Sequence, residues 1–204
     1  EGGVMSKRVD ILSKQQIFKK SIFAIDEVRF RHEKYDGSLS DELTRLTLER
    51  GDGVAAVVYD IDTENVIFTE QFRHATYEHG DGWLLEAPAG MFDGTEEAPD
   101  EAMSREILEE VGYEVEELRH ITTFYLSPGG TSERIFLYYA AVSSTHKIGV
   151  GGGLIGEGED IRAVEIPFRT AIKMLYAGEI KDAKTIIGLQ WMQMHYPELH
   201  AHRD

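Results

Sequence analysis

The chain has 204 residues, enough for one domain, or one domain with a small appendage, and enough to bury a core. Its 37 acidic and 21 basic side chains give a formal charge of -16, which argues against nucleic acid as partner, because such binders carry a basic footprint; a small anion stays open where arginine, lysine or metal neutralises it. Cysteine is absent, so disulfides and thiolate metal sites are excluded, and the composition fits a reducing compartment.

The opening "EGGVMSKRVD" lacks the apolar core of a signal peptide, and no later run has the length of a transmembrane helix, so a soluble cytoplasmic protein with no membrane partner is expected. The four residues before Met5 are left out of the fold reading. Residues 15–34 alternate in stretches such as Phe23, Ile25 and then Val28, Phe30, which predicts strands with one face buried, and "YDGS" at 35–38 predicts a turn. These strands are expected to form a small sheet of their own. "GVAAVVYD" (53–60) and "NVIFTEQFR" (65–73) read as strands joined by the short hairpin-like "IDTE", and "GWLLEAPAG" follows, with Pro88 and Gly90 ending any strand.

From Pro99 to Val111 the period turns helical, with Met103, Ile107, Leu108 and Val111 on one side, Glu106, Glu109 and Glu110 on the other, and Gly112 placed to end the helix. "RIFLYYAAV" (134–142) is a further strand, "HKIGVGGGLIGEGED" (146–160) a glycine-rich loop too long to be a mere connector, and "IRAVEIP" (161–167) a strand. Helices are expected over 168–178, stopped by Gly178, and over 183–196. Strands in mixed order with helices on both sides predict an α/β sandwich.

The three glutamates of the first helix are neighbours at helical spacing, and like charges so placed cost a few tenths of a kcal/mol per pair. One reading is a solvated acidic face. The other is a hard-cation site, in which carboxylates on adjacent turns hold Mg²⁺ while water and substrate phosphates complete its shell. Context separates them. "GMFDGTEEAPDEAMSREILEEVGY" resembles the Nudix box: from Glu97, seven residues lead to Arg105, then Glu106, Ile107, Leu108, Glu109, Glu110, Val111, Gly112 and Tyr113. It departs upstream, where six residues instead of five separate Gly90 from Glu97, so either the loop carries one insertion or Glu96 is the counterpart of the first glutamate. "SPGGTSER" (127–134), "ERGDGVAAV" (49–57), "EQFR" (70–73), "GEGEDIR" (156–162) and "LQWMQMHY" (189–196) are similar, in the same order, to segments of bacterial ADP-ribose pyrophosphatases.

The resemblance implies a Nudix α/β/α sandwich over 49–204, preceded by a small β-rich domain at 5–48 exchanged between the subunits of a homodimer. It implies Mg²⁺-dependent hydrolysis, with Mn²⁺ able to substitute, of a small-molecule nucleoside diphosphate derivative: ADP-ribose, cleaved to AMP and ribose 5-phosphate. Glu106 and Glu110 would be the principal metal ligands, with Glu109 and the Ala89 carbonyl completing the set, and Arg105 would orient the glutamates. The general base would come from the glycine-rich loop, as Glu157 or the nearby Glu159, with Gly151 to Gly153, Gly156 and Gly158 letting that loop close. Arg73 would pair with the diphosphate, the turn from Ser127 through Gly129 would approach the ligand by its backbone, and Glu133 would meet the nucleoside half. Phe23 and Arg45 lie near positions that in the family reach the adenine from the partner subunit, although one aromatic position there falls on Ile22. Two rivals stay open. "GGG", "EDI", "GEIKDAKT" and the box spacing also resemble nucleotide-sugar pyrophosphatases acting on GDP-mannose or a UDP-sugar, and a silent nucleotide-binding module is the alternative of a different class.

Overall fold

A computed structural model describes residues 7–92, 97–154, 156 and 158–196. The chain divides into two compact units, one running up to Gly51 together with Tyr125–Glu133, the other comprising Asp52–Phe124 and the chain from Arg134 onward. The division is therefore not a single cut, because the segment after β8 belongs with the N-terminal strands. No helix among the described residues is long and apolar enough to cross a membrane.

The first unit is an antiparallel sheet in the order β1 (Val9–Lys20), β2 (Phe23–His32) and β3 (Leu43–Glu49). Two register shifts, between Ile11 and Ser13 and between Gln16 and Phe18, interrupt the β1–β2 ladder. Such bulges bend a strand and disturb its alternation. Val9, Ile11, Ile17, Phe18 and Leu46 are exposed, so this sheet buries few of its own apolar side chains.

The second unit holds β4 (Asp52–Asp60), β5 (Asn65–Phe72), β6 (Trp83–Glu86), β7 (Ala89–Phe92), β8 (Leu118–Tyr125), β9 (Arg134–Val142) and β10 (Arg162–Pro167). The order is β10-β5-β4-β9-β8, with β6 on β5 and β7 on β4. β4 pairs with β9 in parallel, while its partners β5 and β7 are antiparallel. β4 is buried almost throughout and serves two faces by alternation. Val54, Ala56 and Val58 meet Ala102, Met103, Ile107 and Val111 of α1 (Pro99–Val111). Val57 and Tyr59 meet Phe168, Ala171 and Ile172 of α2 (Phe168–Ala177) and Leu189 and Met192 of α3 (Ala183–His195). This is the α/β/α sandwich expected from the sequence, with the sheet between α1 and the α2–α3 pair.

Several details differ from expectation. β3 was not anticipated, and β7 runs through Gly90, where a strand was expected to end, because that residue pairs with Val54 of β4. β8 is a strand that the pattern reading passed over, because its exposure "ieeiieie" gives no clean alternation. Leu108 is 39% exposed and lies off the apolar face of α1, whose inward positions are Ala102, Met103, Ile107 and Val111. Gly112 closes the helix in the left-handed conformation, and its N–H bonds the carbonyls of Ile107 and Leu108.

Candidate active site

The acidic stripe of α1 is not a solvated face. Glu110 is only 2% exposed, and its Oε2 accepts the Ala89 N–H at 3.0 Å across the β6–β7 connection. Burial pushes its carboxyl up to about 8; the charges of Glu106 and Glu159 add to this, and the Ala89 N–H and Arg73 oppose it. Glu106 is raised for the same first cause, desolvation, against the lowering effect of Arg105. Glu159 stands close enough to raise both, so the loop and helix carboxylates share one electrostatic site.

Arg105 binds that site together. Its Nη1 donates to Glu106 Oε1 at 2.9 Å and to Glu109 Oε2 at 3.0 Å, and its Nη2 donates to Glu97 Oε1 at 2.8 Å. These contacts raise the guanidinium pKa still further, with the hydrogen bond to Glu97 as the leading cause. A planar fork reaches three carboxylates at once, which a lysine ammonium on its single point of charge does less well. Glu97 is thus held by Arg105 beside the helix glutamates, while Glu96, the other candidate for the first glutamate of the box, lies outside the described residues.

Gly90 explains how Glu106 comes so near the loop. A Cβ built on Gly90 would fall 2.1 Å from the Glu106 carboxyl carbon and from its Oε1. The glycine-rich loop makes an equally close approach at the far end of α1. Gly152 N donates to the Glu110 carbonyl at 2.9 Å and Gly153 N to the Glu109 carbonyl at 3.0 Å, so two otherwise unpaired carbonyls of the last helical turn are satisfied. A Cβ on Gly151 would lie 2.4 Å from the Glu110 carbonyl oxygen. Gly151 to Gly153 are therefore tied to the acidic helix, where the resemblance implied only freedom to move. Beyond them Glu159 Oε2 accepts the Leu154 N–H at 2.8 Å, folding that carboxylate back on the loop. Glu157 lies outside the described residues.

Arg73 sits at the end of β5 and donates from Nε to Glu86 Oε2 at 2.7 Å. Its two Nη groups make no hydrogen bond among the described residues, its side chain is 41% exposed, and its charge acts on Glu110. Glu86, only 5% exposed, is a residue the sequence reading passed over. The available signal was an acid inside the apolar run "WLLEA", since buried carboxylates are rare without a partner.

In the first unit, Arg50 links two of the expected nucleoside residues. Its guanidinium lies 5.8 Å from the centre of the Phe23 ring, and its Nη1 is 3.6 Å from Glu133 Oε1. Arg50 itself was not singled out from sequence. Arg45 is not brought to that cluster; it is exposed on β3 opposite Val28 and donates to the Thr44 carbonyl. The Ser127 carbonyl accepts the N–H groups of Gly130 and Thr131, both at 3.0 Å, and the Gly130 carbonyl accepts the Leu48 N–H, which ties the turn to β3. A Cβ on Gly129 would meet nothing within 4 Å, so the protein's own packing does not demand glycine there.

A family model of the NUDIX domain matches residues 49–187, and the chain belongs to the Nudix hydrolase family. Among curated relatives, the GDP-mannose pyrophosphatase of Escherichia coli O1:K1 / APEC is 35% identical over 187 residues, 91% of this chain and 95% of that protein. The GDP-mannose pyrophosphatase of Shigella flexneri serotype 5b (strain 8401) is 34% identical over 194 residues, 94% and 98% of the two chains. The solved structure of an ADP compounds hydrolase superposes with a TM-score of 0.72, covering 97% of this chain and 98% of its own, at 17% identity, a likeness of fold.

Nudix hydrolases generally use a divalent cation. Among the described residues no three Asp, Glu, His or Cys side chains stand together closely enough to enclose an ion, and Arg105 holds one oxygen each of Glu106 and Glu109. The donor chemistry nevertheless fits a hard cation. It is all oxygen, burial disfavours the charges of Glu106 and Glu110, and one oxygen of each makes no hydrogen bond among the described residues. A divalent ion would relieve the repulsion that no nearby protein cation offsets at Glu110 as fully.

Proposed function

We propose that the protein is a divalent-cation-dependent pyrophosphatase of nucleoside diphosphate sugars, and that its substrate is GDP-mannose, hydrolysed to GMP and mannose 1-phosphate. The observation that carries the chemistry is the joint placement of Glu110, buried and charge-repelled, with Arg73, whose Nη fork is open and whose field reaches it. A diphosphate needs both: a cation-binding carboxylate set on one side and a guanidinium able to pair two phosphoryl oxygens on the other. The base and sugar are supported by the curated relatives at 34% and 35% identity, which take precedence over ADP-ribose as expected from sequence motifs.

In this reading Glu106, Glu109, Glu110 and the Ala89 carbonyl hold Mg²⁺ or Mn²⁺. The ion, when bound, neutralises phosphoryl charge and lowers the pKa of a coordinated water. Arg105 keeps the glutamates oriented, and Arg73 binds the diphosphate. Glu157 takes the proton from the attacking water, with Glu159 as the alternative base. Phe23, Arg50 and Glu133 bind the nucleoside, beside the Ser127–Gly129 turn, while Arg45, which stands apart from that cluster in its own chain, reaches the base bound by the partner subunit. We also read the protein as a cytoplasmic homodimer; its cysteine-free composition and the exposed Val9, Ile11, Ile17, Phe18 and Leu46 of the N-terminal sheet support this.

The test is hydrolysis of GDP-mannose, ADP-ribose and a UDP-sugar side by side in excess Mg²⁺, with kcat/KM for each. GDP-mannose is expected to lead. Preference for ADP-ribose would reassign the substrate and keep the site; no turnover of any would return the silent binding module. Glu110→Gln is expected to abolish turnover, and Glu157→Gln compared with Glu159→Gln identifies the base.

A further inference from the structure

The connection from β6 to β7 and the strand ends that flank it carry three residues of the proposed site: Glu86 beside Arg73, Ala89 with its carbonyl and its Glu110-bound N–H, and Gly90 against Glu106. Something must hold so short a segment to a fraction of an ångström. The first turn of α3, nearly one hundred residues later in the chain, does this at two points.

Thr185 is completely buried. Its Oγ accepts the Ala87 N–H at 2.6 Å and donates to Asp182 Oδ2 at 2.7 Å. The same Asp182 oxygen accepts the Thr185 N–H at 3.0 Å, so the helix N-cap also fixes the direction of the threonine hydroxyl. With its proton committed to Asp182, the hydroxyl can present only a lone pair to Ala87. One residue earlier, Lys184 places its Nζ 2.6 Å from Asp182 Oδ1 and 3.5 Å from Glu86 Oε1, opposite the oxygen that Arg73 uses. Its side chain is 13% exposed.

The sequence accepts a cost to bring this turn so close. Gly188 lies inside α3, where glycine is about 0.5–1 kcal/mol worse than alanine. A Cβ there would meet Val57 Cγ2 of β4 at 2.0 Å. Glycine lets α3 settle on β4, and β4 itself anchors the connection from beneath, Ala56 N–H donating to the Pro88 carbonyl at 3.0 Å. Helix cap, helix seat and strand thus converge on three consecutive residues, Ala87, Pro88 and Ala89.

We infer that Thr185 and Lys184 are positioning residues of the active site: Thr185, oriented by Asp182, fixes Ala87 and so sets where Ala89 and Glu110 meet the cation, while Lys184 fixes Glu86 and so sets the Arg73 fork. This rests on the proposed roles of Ala89, Glu110 and Arg73. "GEIKDAKT" is then a structural support of the site, separate from the box.

The test measures Mn²⁺ binding to the purified full chain without substrate, by the electron paramagnetic resonance signal of free Mn²⁺. Thr185→Val keeps the shape and removes the acceptor. It is expected to weaken Mn²⁺ binding by about 10-fold or more, the usual scale for groups that orient metal ligands. Thr185→Ser, which retains the hydroxyl, restores binding to within about twofold on the same scale. Thr185→Ala removes the same hydroxyl without setting a methyl against the Ala87 N–H, and takes the place of valine if that variant does not fold. A purely structural threonine would lower Tm in Thr185→Val and leave Mn²⁺ affinity unchanged, which overturns the inference. Glu110→Gln separates the two readings: if it weakens binding while Thr185→Val does not, the positioning role alone fails; if it changes nothing, the metal reading fails and takes this inference with it. For the second arm, Lys184→Met is expected to raise KM severalfold in the parent and to add nothing in an Arg73→Ala background. Additive effects would show that Lys184 does not act through Arg73.

Discussion

Gly90→Ala separates folding from function sharply. The new Cβ would lie 2.1 Å from Glu106 Cδ and Oε1, against 3.4 Å for ordinary contact, so the carboxylate must retreat by about 1.3 Å. What gives way is the far end of a flexible side chain on a helix otherwise anchored by Met103, Ile107 and Val111, and an off-rotamer side chain costs only about 0.5–1.5 kcal/mol. Displacement of a reacting or ligating group by about 1 Å, however, costs on the order of 100-fold in rate, equivalent to about 2.7 kcal/mol of activation free energy. The expected result is a Tm within a few degrees of the parent and kcat/KM for GDP-mannose lower by about two orders of magnitude. Gly80→Ala is the control, since its Cβ would meet only the Thr76 carbonyl, at 3.9 Å. Equal activity of Gly90→Ala and parent, at saturating and limiting Mg²⁺, would refute the claim that the Glu106 carboxylate must rest against the β7 backbone.

Arg105→Lys keeps the charge and loses the fork that spans Glu97, Glu106 and Glu109; kcat should fall by about 10-fold or more, with melting temperature the companion measurement. Gly151→Ala drives a Cβ to 2.4 Å from the Glu110 carbonyl oxygen and combines this with a φ of +68°, so it should both lower Tm and reduce kcat, whereas Gly156→Ala, which meets nothing, should leave Tm unchanged. In metal-free protein Glu110 keeps its proton up to about 8 while the unfolded chain releases it near 4.5. Between those values the native state binds the extra proton, so this group makes stability fall as pH rises from about 4.5 to about 8. Thermal melts in chelator across that range should show the decline, and Glu110→Gln or saturating Mg²⁺ should flatten it; an unchanged slope in Glu110→Gln would place the titration elsewhere.

The box and its helix were legible from sequence because their information is local. Spacing of three and four along α1 fixes which glutamates share a side, and Gly112 announces the helix end by its own φ of +80°. The apolar runs of β4 and β9 likewise specified strands before any partner was known. Pattern could not decide what each side faces. Leu108 and Glu110 show this directly: helical angle alone put the leucine inward and the glutamate in water, yet the leucine is 39% exposed and the glutamate 2%. The reason is that the β6–β7 connection lies over that flank of α1 and offers Glu110 a backbone N–H, which no period in the helix can encode.

The remaining parts of the site depend on residues far apart in the chain. Glu86 is given meaning by Arg73 and by Lys184, and Thr185 by Ala87, 98 positions away. The same is true of the glycines: "GGG" read as freedom, and became a cap only when the loop met the carbonyls of Glu109 and Glu110. Sequence by itself determined the family chemistry, an acidic helix with one organising arginine, because those groups lie within three turns of one another. Tertiary structure alone decided which carboxylates are buried, which guanidinium keeps its fork open and which distant turn holds the loop, because burial and hydrogen bonding are properties of surfaces brought together from separate parts of the chain.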